Sequence, residues 1–184
     1  RKMPVNFLDN HDVERFLFGS AGDVDALRNA LTLLITEEGL PCVYYGTEQD
    51  FAGGNDPANR EVLWDTGFAT SGDTFRHLSK LLRLRKSYVA LRRGDTRVVW
   101  ATNHTGTEGD AGMFAFERAD GDAEGAYALV VMNTNAKKAS ATEDGSNLMK
   151  TSKPKTTFVD VLGVDGKTYT SEADGSLRIS LSAQ

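Results

Sequence analysis

The string Asp9-Asn10-His11-Asp12 follows the apolar run Val5-Asn6-Phe7-Leu8 and therefore lies where a short strand would give way to a loop. In barrels and open α/β sheets, ligands are held at that end of a parallel strand, where the βα loop begins. Strand alternation alone would put Asn10 and Asp12 on one face and His11 on the other. Once the chain leaves the strand that rule lapses, and both sets of side chains can serve one pocket. The same residues have a plainer use, because Asp12 followed by Glu14 could cap the next helix. A second polar string, Gly53-Gly54-Asn55-Asp56-Pro57-Ala58-Asn59-Arg60, reads as a flexible approach to a short helical turn. Asp56 is a favoured N-cap and Pro57 is favoured at the first helical position. If the turn forms, Asp56 and Arg60 are four apart and can pair.

Around these strings the first half of the chain is patterned as β-α-β-loop-α. After the strand at residues 5–8, Leu27, Ala30, Leu31, Leu34 and Ile35 recur at three-and-four spacing, with Asp23 and Asp25 suited to the N-terminus of a helix that Gly39 stops. The continuous apolar run Pro41-Cys42-Val43-Tyr44-Tyr45-Gly46 predicts a parallel strand buried on both faces. A polar loop of about twenty residues follows, far beyond the usual ~4–6, and loops of that size tend to be functional. A second helix is predicted from about residue 74 to about residue 91, with Phe75, Leu78, Leu81, Leu82 and Val89 on one face.

Beyond about residue 94, short β-branched runs alternate with turn chemistry such as Asp120-Gly121-Asp122, Asp165-Gly166 and Asp174-Gly175. Strands are predicted at 96–102, 113–119, 127–133, 137–142, 156–162, 167–171 and 177–182, enough for a small antiparallel sandwich. Two βα units cannot close a barrel or hide both edges of a sheet, so the first half needs further chain, a second copy or a separate subunit to complete it. A chain of 184 residues that starts with Arg rather than Met fits a piece of something longer.

The 40% hydrophobic fraction excludes disorder, and a net charge of −5 without a basic run excludes nucleic acid as a partner. No stretch approaches the ~18 apolar residues of a membrane span. The single cysteine, Cys42, allows neither an intrachain disulfide nor a cysteine metal cluster, and within its apolar run it reads as a small core residue. No metal ligand set is read from the sequence.

Three strings together resemble the α-amylase superfamily of glycoside hydrolases, in its order and at its spacing: Phe7-Leu8-Asp9-Asn10-His11-Asp12, then the run from Gly39 through Tyr44-Tyr45-Gly46-Thr47-Glu48-Gln49, then Gly53-Gly54-Asn55-Asp56-Pro57-Ala58-Asn59-Arg60. Weaker likeness continues through Met113-Phe114-Ala115-Phe116-Glu117-Arg118, Leu129-Val130-Val131-Met132-Asn133 and Phe158-Val159-Asp160-Val161-Leu162-Gly163. The resemblance implies α/β followed by all-β. The last two βα units of a (β/α)8 TIM barrel would occupy residues 1–94, and a C-terminal antiparallel Greek-key β-sandwich residues 95–184. It implies the C-terminal fragment of a retaining α-glucan hydrolase acting on α-1,4-glucosidic bonds of starch-like glucans or maltooligosaccharides, through a covalent glycosyl-enzyme intermediate.

By the same resemblance Asp12 is the third catalytic carboxylate, which stabilises the sugar being cleaved, and His11 hydrogen-bonds that sugar. An oxocarbenium-like transition state gains from such a fixed negative charge. Asn10 would ligate a chloride ion or brace the loop. Asp56 and Arg60 would bind the next glucose on the non-reducing side, with Gly53 and Gly54 letting the backbone come close to it. The nucleophile and the acid/base would lie on earlier barrel strands, as would any calcium the family uses, so the fragment alone should be inactive and needs no cofactor. An extracellular or periplasmic location is favoured for the complete enzyme.

Two alternatives remain. Glu14-Arg15-Phe16 after the Asn-His-Asp motif also resembles transglycosylases of the cyclodextrin glucanotransferase type, and a non-catalytic glucan-binding relative would keep the fold without the chemistry. The other conspicuous residues are read structurally. Arg83, Arg85 and Lys86 form a solvated helix face over core Leu81, Leu82 and Leu84; Glu48 braces or lines a pocket; Trp64 and Trp100 pack more often than they stack on sugar; His77 and His104 have no evident partner.

Overall fold

The computed structural model describes residues 3–184. It divides into two compact units, one up to Ser87 and one from Tyr88 onward.

In the first unit, strand β1 (Val5–Asn6) pairs in parallel with β2 (Leu40–Pro41). Between them lie the short helix α1 (Phe16–Gly19) and α2 (Val24–Thr36), and α3 (Asp73–Ser87) closes the unit. Helix α2 starts as its sequence predicts, with the Asp23 carboxylate accepting the Ala26 N–H at 2.9 Å. The apolar stripe of α2 buries Leu27, Leu31, Leu34 and Ile35. On α3, Leu78 and Leu81 are buried as the spacing predicts.

Four local expectations are corrected here. The predicted strand over 41–46 ends at Pro41, and the chain turns at Tyr44–Thr47, where the Thr47 N–H reaches the Tyr44 carbonyl at 3.2 Å. Cys42, just beyond β2, is exposed and not core. Leu82 is exposed as well. Arg85 is buried rather than solvated: its guanidinium donates to the carbonyls of Ile35 at 2.6 Å, Glu37 at 3.1 Å and Gly39 at 2.5 Å. The first two lie at the C-terminal end of α2, where a helix leaves carbonyls without partners, and Gly39 lies just beyond it, so a cation from α3 serves as the cap of α2.

The predicted second helix is broken at Tyr88, whose φ of −101° and ψ of 108° are extended, and α4 (Val89–Arg93) starts the second unit. Three long antiparallel strands follow in the order β3 (Asp95–Ala101), β4 (Met113–Ala119) and β5 (Tyr127–Asn133). The last two have the bounds that the sequence predicts. A bulge between Val98 and Trp100 shifts the register so that Trp100 faces Ala115.

The predicted strand at 137–142 resolves into β6 (Ser140–Ala141) and β7 (Glu143–Asp144), the latter in a hairpin with the unforeseen β8 (Asn147–Lys150). Strands β9 (Thr157–Val159) and β10 (Thr168–Thr170) pair with each other; β11 (Ser176–Leu177) pairs with β8, and β12 (Ser180–Leu181) with β6. The core is Ala115, Met149, Leu177 and Ile179, with Trp100, Leu129, Val131, Phe158 and Tyr169 against it. Trp100 therefore packs, whereas Trp64 in the first unit keeps 70% of its surface exposed. Arg118 is fully buried and donates to the carbonyls of Leu91 at 3.1 Å and Gly94 at 2.6 Å, ending α4 as Arg85 ends α2.

Candidate functional site

The parallel pairing of β1 with β2 brings the Asp9–Asp12 string and the Tyr44–Arg60 segment to the same end of the sheet. Asp9 is 3% exposed and ties the two together. One carboxylate oxygen accepts the Phe16 N–H at 3.0 Å at the start of α1, and the other accepts the Thr47 hydroxyl at 3.0 Å. The helix-capping carboxylate of this string is thus Asp9, not Asp12 or Glu14. Asn10 closes an Asx turn, its side-chain oxygen accepting the Asp12 N–H at 2.7 Å.

That turn directs His11 and Asp12 outward. Their side chains are 61% and 72% exposed and meet at 3.3 Å between His11 Nε2 and Asp12 Oδ1. Arg60 Nη2 donates to the His11 carbonyl at 3.4 Å, and Arg60 Nε pairs with Asp56 Oδ1 at 2.8 Å. A continuous line of contacts therefore runs Asp12, His11, Arg60, Asp56 along one solvent-facing surface, joining four of the five site residues named from the sequence.

The Asp56 segment differs from expectation. Residues 56–59 form turns, with Ala58 N–H to Asn55 carbonyl at 2.9 Å and Arg60 N–H to Pro57 carbonyl at 3.1 Å, and the Asp56–Pro57 peptide is cis. These are three-residue turn closures rather than helical ones, so Asp56 is not an N-cap, although its ion pair with Arg60 forms as predicted. Gly53 and Gly54 are both crowded by the chain. A Cβ on Gly53 would lie 1.9 Å from the Ala58 carbonyl oxygen, and one on Gly54 would lie 3.1 Å from the Phe18 ring. Both glycines are needed where the chain packs closely on itself.

Sequence reasoning passed over the groups that hold this segment. Arg15 is fully buried. Its Nε pairs with Glu61 Oε2 at 3.0 Å and its Nη1 donates to the Tyr45 carbonyl at 2.7 Å. Its guanidinium lies 4.1 Å from the ring centre of Tyr44, 5.0 Å from Tyr45 and 5.4 Å from Phe51. Phe51 fits only because residue 46 is glycine, where a Cβ would fall 2.0 Å from the ring. Asn59 is buried too and donates to the Val13 carbonyl at 2.7 Å. The sequence signal for Arg15 was its place in Glu14-Arg15-Phe16 after the Asn-His-Asp motif, which pointed to a family resemblance and not to burial. Glu48 lies on a single 3-10 turn, Thr47–Gln49.

In the second unit, His104 Nδ1 and Asp110 Oδ1 are 2.7 Å apart. Among the described residues, one group of three metal-capable side chains stands out, His104, Asp110 and Asp144, each offering an atom within 4.8 Å of the others. It lines an open depression of about 680 Å³ together with Trp100, Thr102, Asn103 and Asn147. An imidazole and two carboxylates could approach a cation there, although His104 already spends one ring nitrogen on Asp110.

The two histidines outside the motif have opposite protonation behaviour. The hydrogen bond to Asp110 raises the His104 pKa above its usual 6.5, against a smaller desolvation effect. Burial beneath α2, where Nε2 sits 2.9 Å from the Thr32 hydroxyl, lowers that of His77. His104 therefore contributes stability that is complete below pH 6.5 and is lost as pH rises through its folded pKa. His77 is the reverse: the unfolded chain takes the proton first, so stability falls as pH drops below 6.5. Ring-proton NMR titration is expected to place His104 above and His77 below that value; the opposite order would contradict both environments.

No family model matches the chain. Among curated proteins it is 35% identical to a cyclomaltodextrin glucanotransferase of Thermoanaerobacterium thermosulfurigenes over 175 residues, 94% of this chain and 22% of that protein. It is 36% identical to an alpha-amylase of Niallia circulans, again over 94% of this chain but 30% of the relative. Among solved structures, the gamma-CGTase of alkalophilic Bacillus clarkii superposes with a TM-score of 0.78 at 28% identity, covering 96% of this chain and 24% of that one. An Anoxybacillus alpha-amylase superposes with a TM-score of 0.77 at 27% identity, covering 97% and 36%. The chain spans between about a fifth and a third of the length of these proteins. With helices and a parallel strand pair in one unit, antiparallel sheets in the other and likeness along nearly all of its length, the chain belongs to the α-amylase superfamily and corresponds to a C-terminal part of its enzymes.

Proposed function

We propose that the chain belongs to a retaining α-glucan hydrolase of the α-amylase type that cleaves α-1,4-glucosidic bonds in starch-like substrates. The line Asp12, His11, Arg60, Asp56 carries the reading: exposed polar groups, held on one surface by buried ties, suit a bound oligosaccharide. Asp12 supplies fixed negative charge to the developing oxocarbenium ion, His11 hydrogen-bonds the same sugar, and Asp56 with Arg60 holds the next one. Asn10 acts by bracing the loop. The first unit is read as the last two βα units of a (β/α)8 barrel and the second as its Greek-key sandwich. Val5, Phe7 and Leu40 are each more than half exposed beside β1 and β2, as expected of strands that further barrel segments, or a second copy, would cover. Any calcium is assigned to those further segments.

The identity of several relatives as cyclomaltodextrin glucanotransferases favours a second reading, in which the glycosyl-enzyme is attacked by a sugar hydroxyl rather than by water. The complete enzyme acting on soluble starch decides. Linear products released in the α configuration, followed by anomeric NMR, support the hydrolase, and cyclodextrins support the transferase. Inverted products, or binding without turnover, would refute both. Because hydrolysis with retention needs a nucleophile and an acid/base about 5–5.5 Å apart on either side of the bond, the 184-residue chain alone should show no turnover above a buffer blank.

A further inference from the structure

The turn that carries Asp56 and Arg60 is closed at its base by a single buried cation. Gly53 and Glu61 bracket the turn. The Glu61 carboxylate accepts the Gly53 N–H at 2.6 Å with Oε1 and takes Arg15 Nε at 3.0 Å with Oε2. Arg15 returns to the same pair through its own backbone, its N–H donating to the Gly53 carbonyl at 3.0 Å. The Tyr45 hydroxyl donates to the Glu61 carbonyl at 3.0 Å, and Arg15 Nη1 holds the Tyr45 carbonyl at 2.7 Å. Arg15 lies only three residues beyond Asp12, so one fully buried residue joins the loop bearing Asp12 to both ends of the loop bearing Asp56 and Arg60, to Glu61 through its side chain and to Gly53 through its backbone.

From this geometry we propose that Arg15, acting with Glu61, is a positioning residue that sets the spacing between Asp12 and the Asp56–Arg60 pair and so determines how much a longer glucan chain gains over a short one. The proposal rests on the substrate-binding reading of those residues given above. Stability alone is a poor reason for such a group, since a buried ion pair can often be replaced by apolar side chains without loss. What an apolar residue cannot do is hold two loops in register through bonds of fixed direction. The planar guanidinium does so with Nε on Glu61 and Nη1 on the Tyr45 carbonyl while its face lies on Tyr44. Lysine keeps the charge but has neither the fork nor the flat face, so at this position it is not a conservative replacement.

The neighbouring position matters only for substrates long enough to fill it, and binding there is converted into rate at the reacting centre. A displacement of the Asp56 turn relative to Asp12 should therefore be read as a loss on long substrates that short ones escape. In the complete enzyme, Arg15→Lys is expected to lower kcat/KM on a long maltooligosaccharide about 10-fold and on the shortest cleavable one no more than about 2-fold. Glu61→Gln, which keeps the shape but not the charge, is expected to change the ratio in the same direction by less, and it serves as the test if Arg15→Lys fails to fold. Added to Asp56→Ala or Arg60→Ala, Arg15→Lys should produce no further change in that ratio, because its effect runs through those residues.

Three results are distinguishable. A selective loss on long substrates that disappears in the double variants supports the assignment. If Asp56→Ala and Arg60→Ala are length-selective but Arg15→Lys and Glu61→Gln lower both substrates equally, or neither, the inference fails and the substrate-binding reading stands. If Asp56→Ala and Arg60→Ala are themselves indifferent to length, the substrate-binding reading fails and the inference falls with it.

Discussion

Replacing Asp12 with Asn in the complete enzyme is expected to lower kcat and kcat/KM together by at least about 100-fold, the loss typical of removing one electrostatic stabiliser of a transition state. The structure separates this effect from a folding defect. The Asp12 side chain is 72% exposed and, among the described residues, pairs with His11 at 3.3 Å. The turn is held by other groups, since the Asp12 N–H is bound by Asn10 and the α1 cap is Asp9. A surface substitution of this kind should change stability by no more than about 0.5 kcal/mol. Measured kcat, KM and melting temperature of the variant decide the matter. Near-normal kcat, or a loss of activity matched by a loss of folded protein, would leave Asp12 as a loop residue.

The second large effect is expected at Asp56 and Arg60. Their ion pair is half exposed on both sides, at 59% and 50%, so as a structural contact it contributes at most ~1 kcal/mol. As hydrogen-bonding partners of a glucose unit the same groups are worth more, roughly 1.5–3 kcal/mol for a bond to a charged group, or roughly 10–150-fold in rate. Asp56→Ala or Arg60→Ala should therefore reduce kcat/KM on long maltooligosaccharides by about 10- to 100-fold, and on the shortest ones much less. Arg60 adds a further contact, its bond to the His11 carbonyl at 3.4 Å. Some loss on short substrates is accordingly expected for Arg60→Ala and less for Asp56→Ala. A fall in melting temperature with unchanged kinetics would return the pair to a purely structural role.

What was legible in the sequence was the part governed by near neighbours. Helix α2 begins at an aspartate that caps a backbone N–H three residues on, and its stripe of leucines fixes which face is buried. Strands β4 and β5 have their predicted bounds because short apolar runs and the Asp120-Gly121 turn between them act within a few residues. Asp12, His11, Asp56 and Arg60 were picked out by a resemblance in their motifs, and the i,i+4 spacing of the last two already implied their ion pair.

Tertiary structure decided everything that depends on a distant partner. Arg15 and Arg85 look like surface cations in a linear reading. They are buried because carbonyls and a carboxylate 30 to 50 positions away along the chain receive their donors. Asp9, not Asp12, caps α1 because Thr47, 38 residues on, takes its other oxygen. Cys42 is apolar by sequence context and exposed by topology, since a run of hydrophobic residues states what would bury well and not whether a neighbour arrives to cover it. Gly53 makes way for the Ala58 carbonyl, which no local rule could place 1.9 Å from its missing Cβ. Periodicity, caps and turns act over one to four residues and can be read from the order of side chains alone; the burial of a charge and the register of two loops are properties of pairs that meet only when the chain has folded.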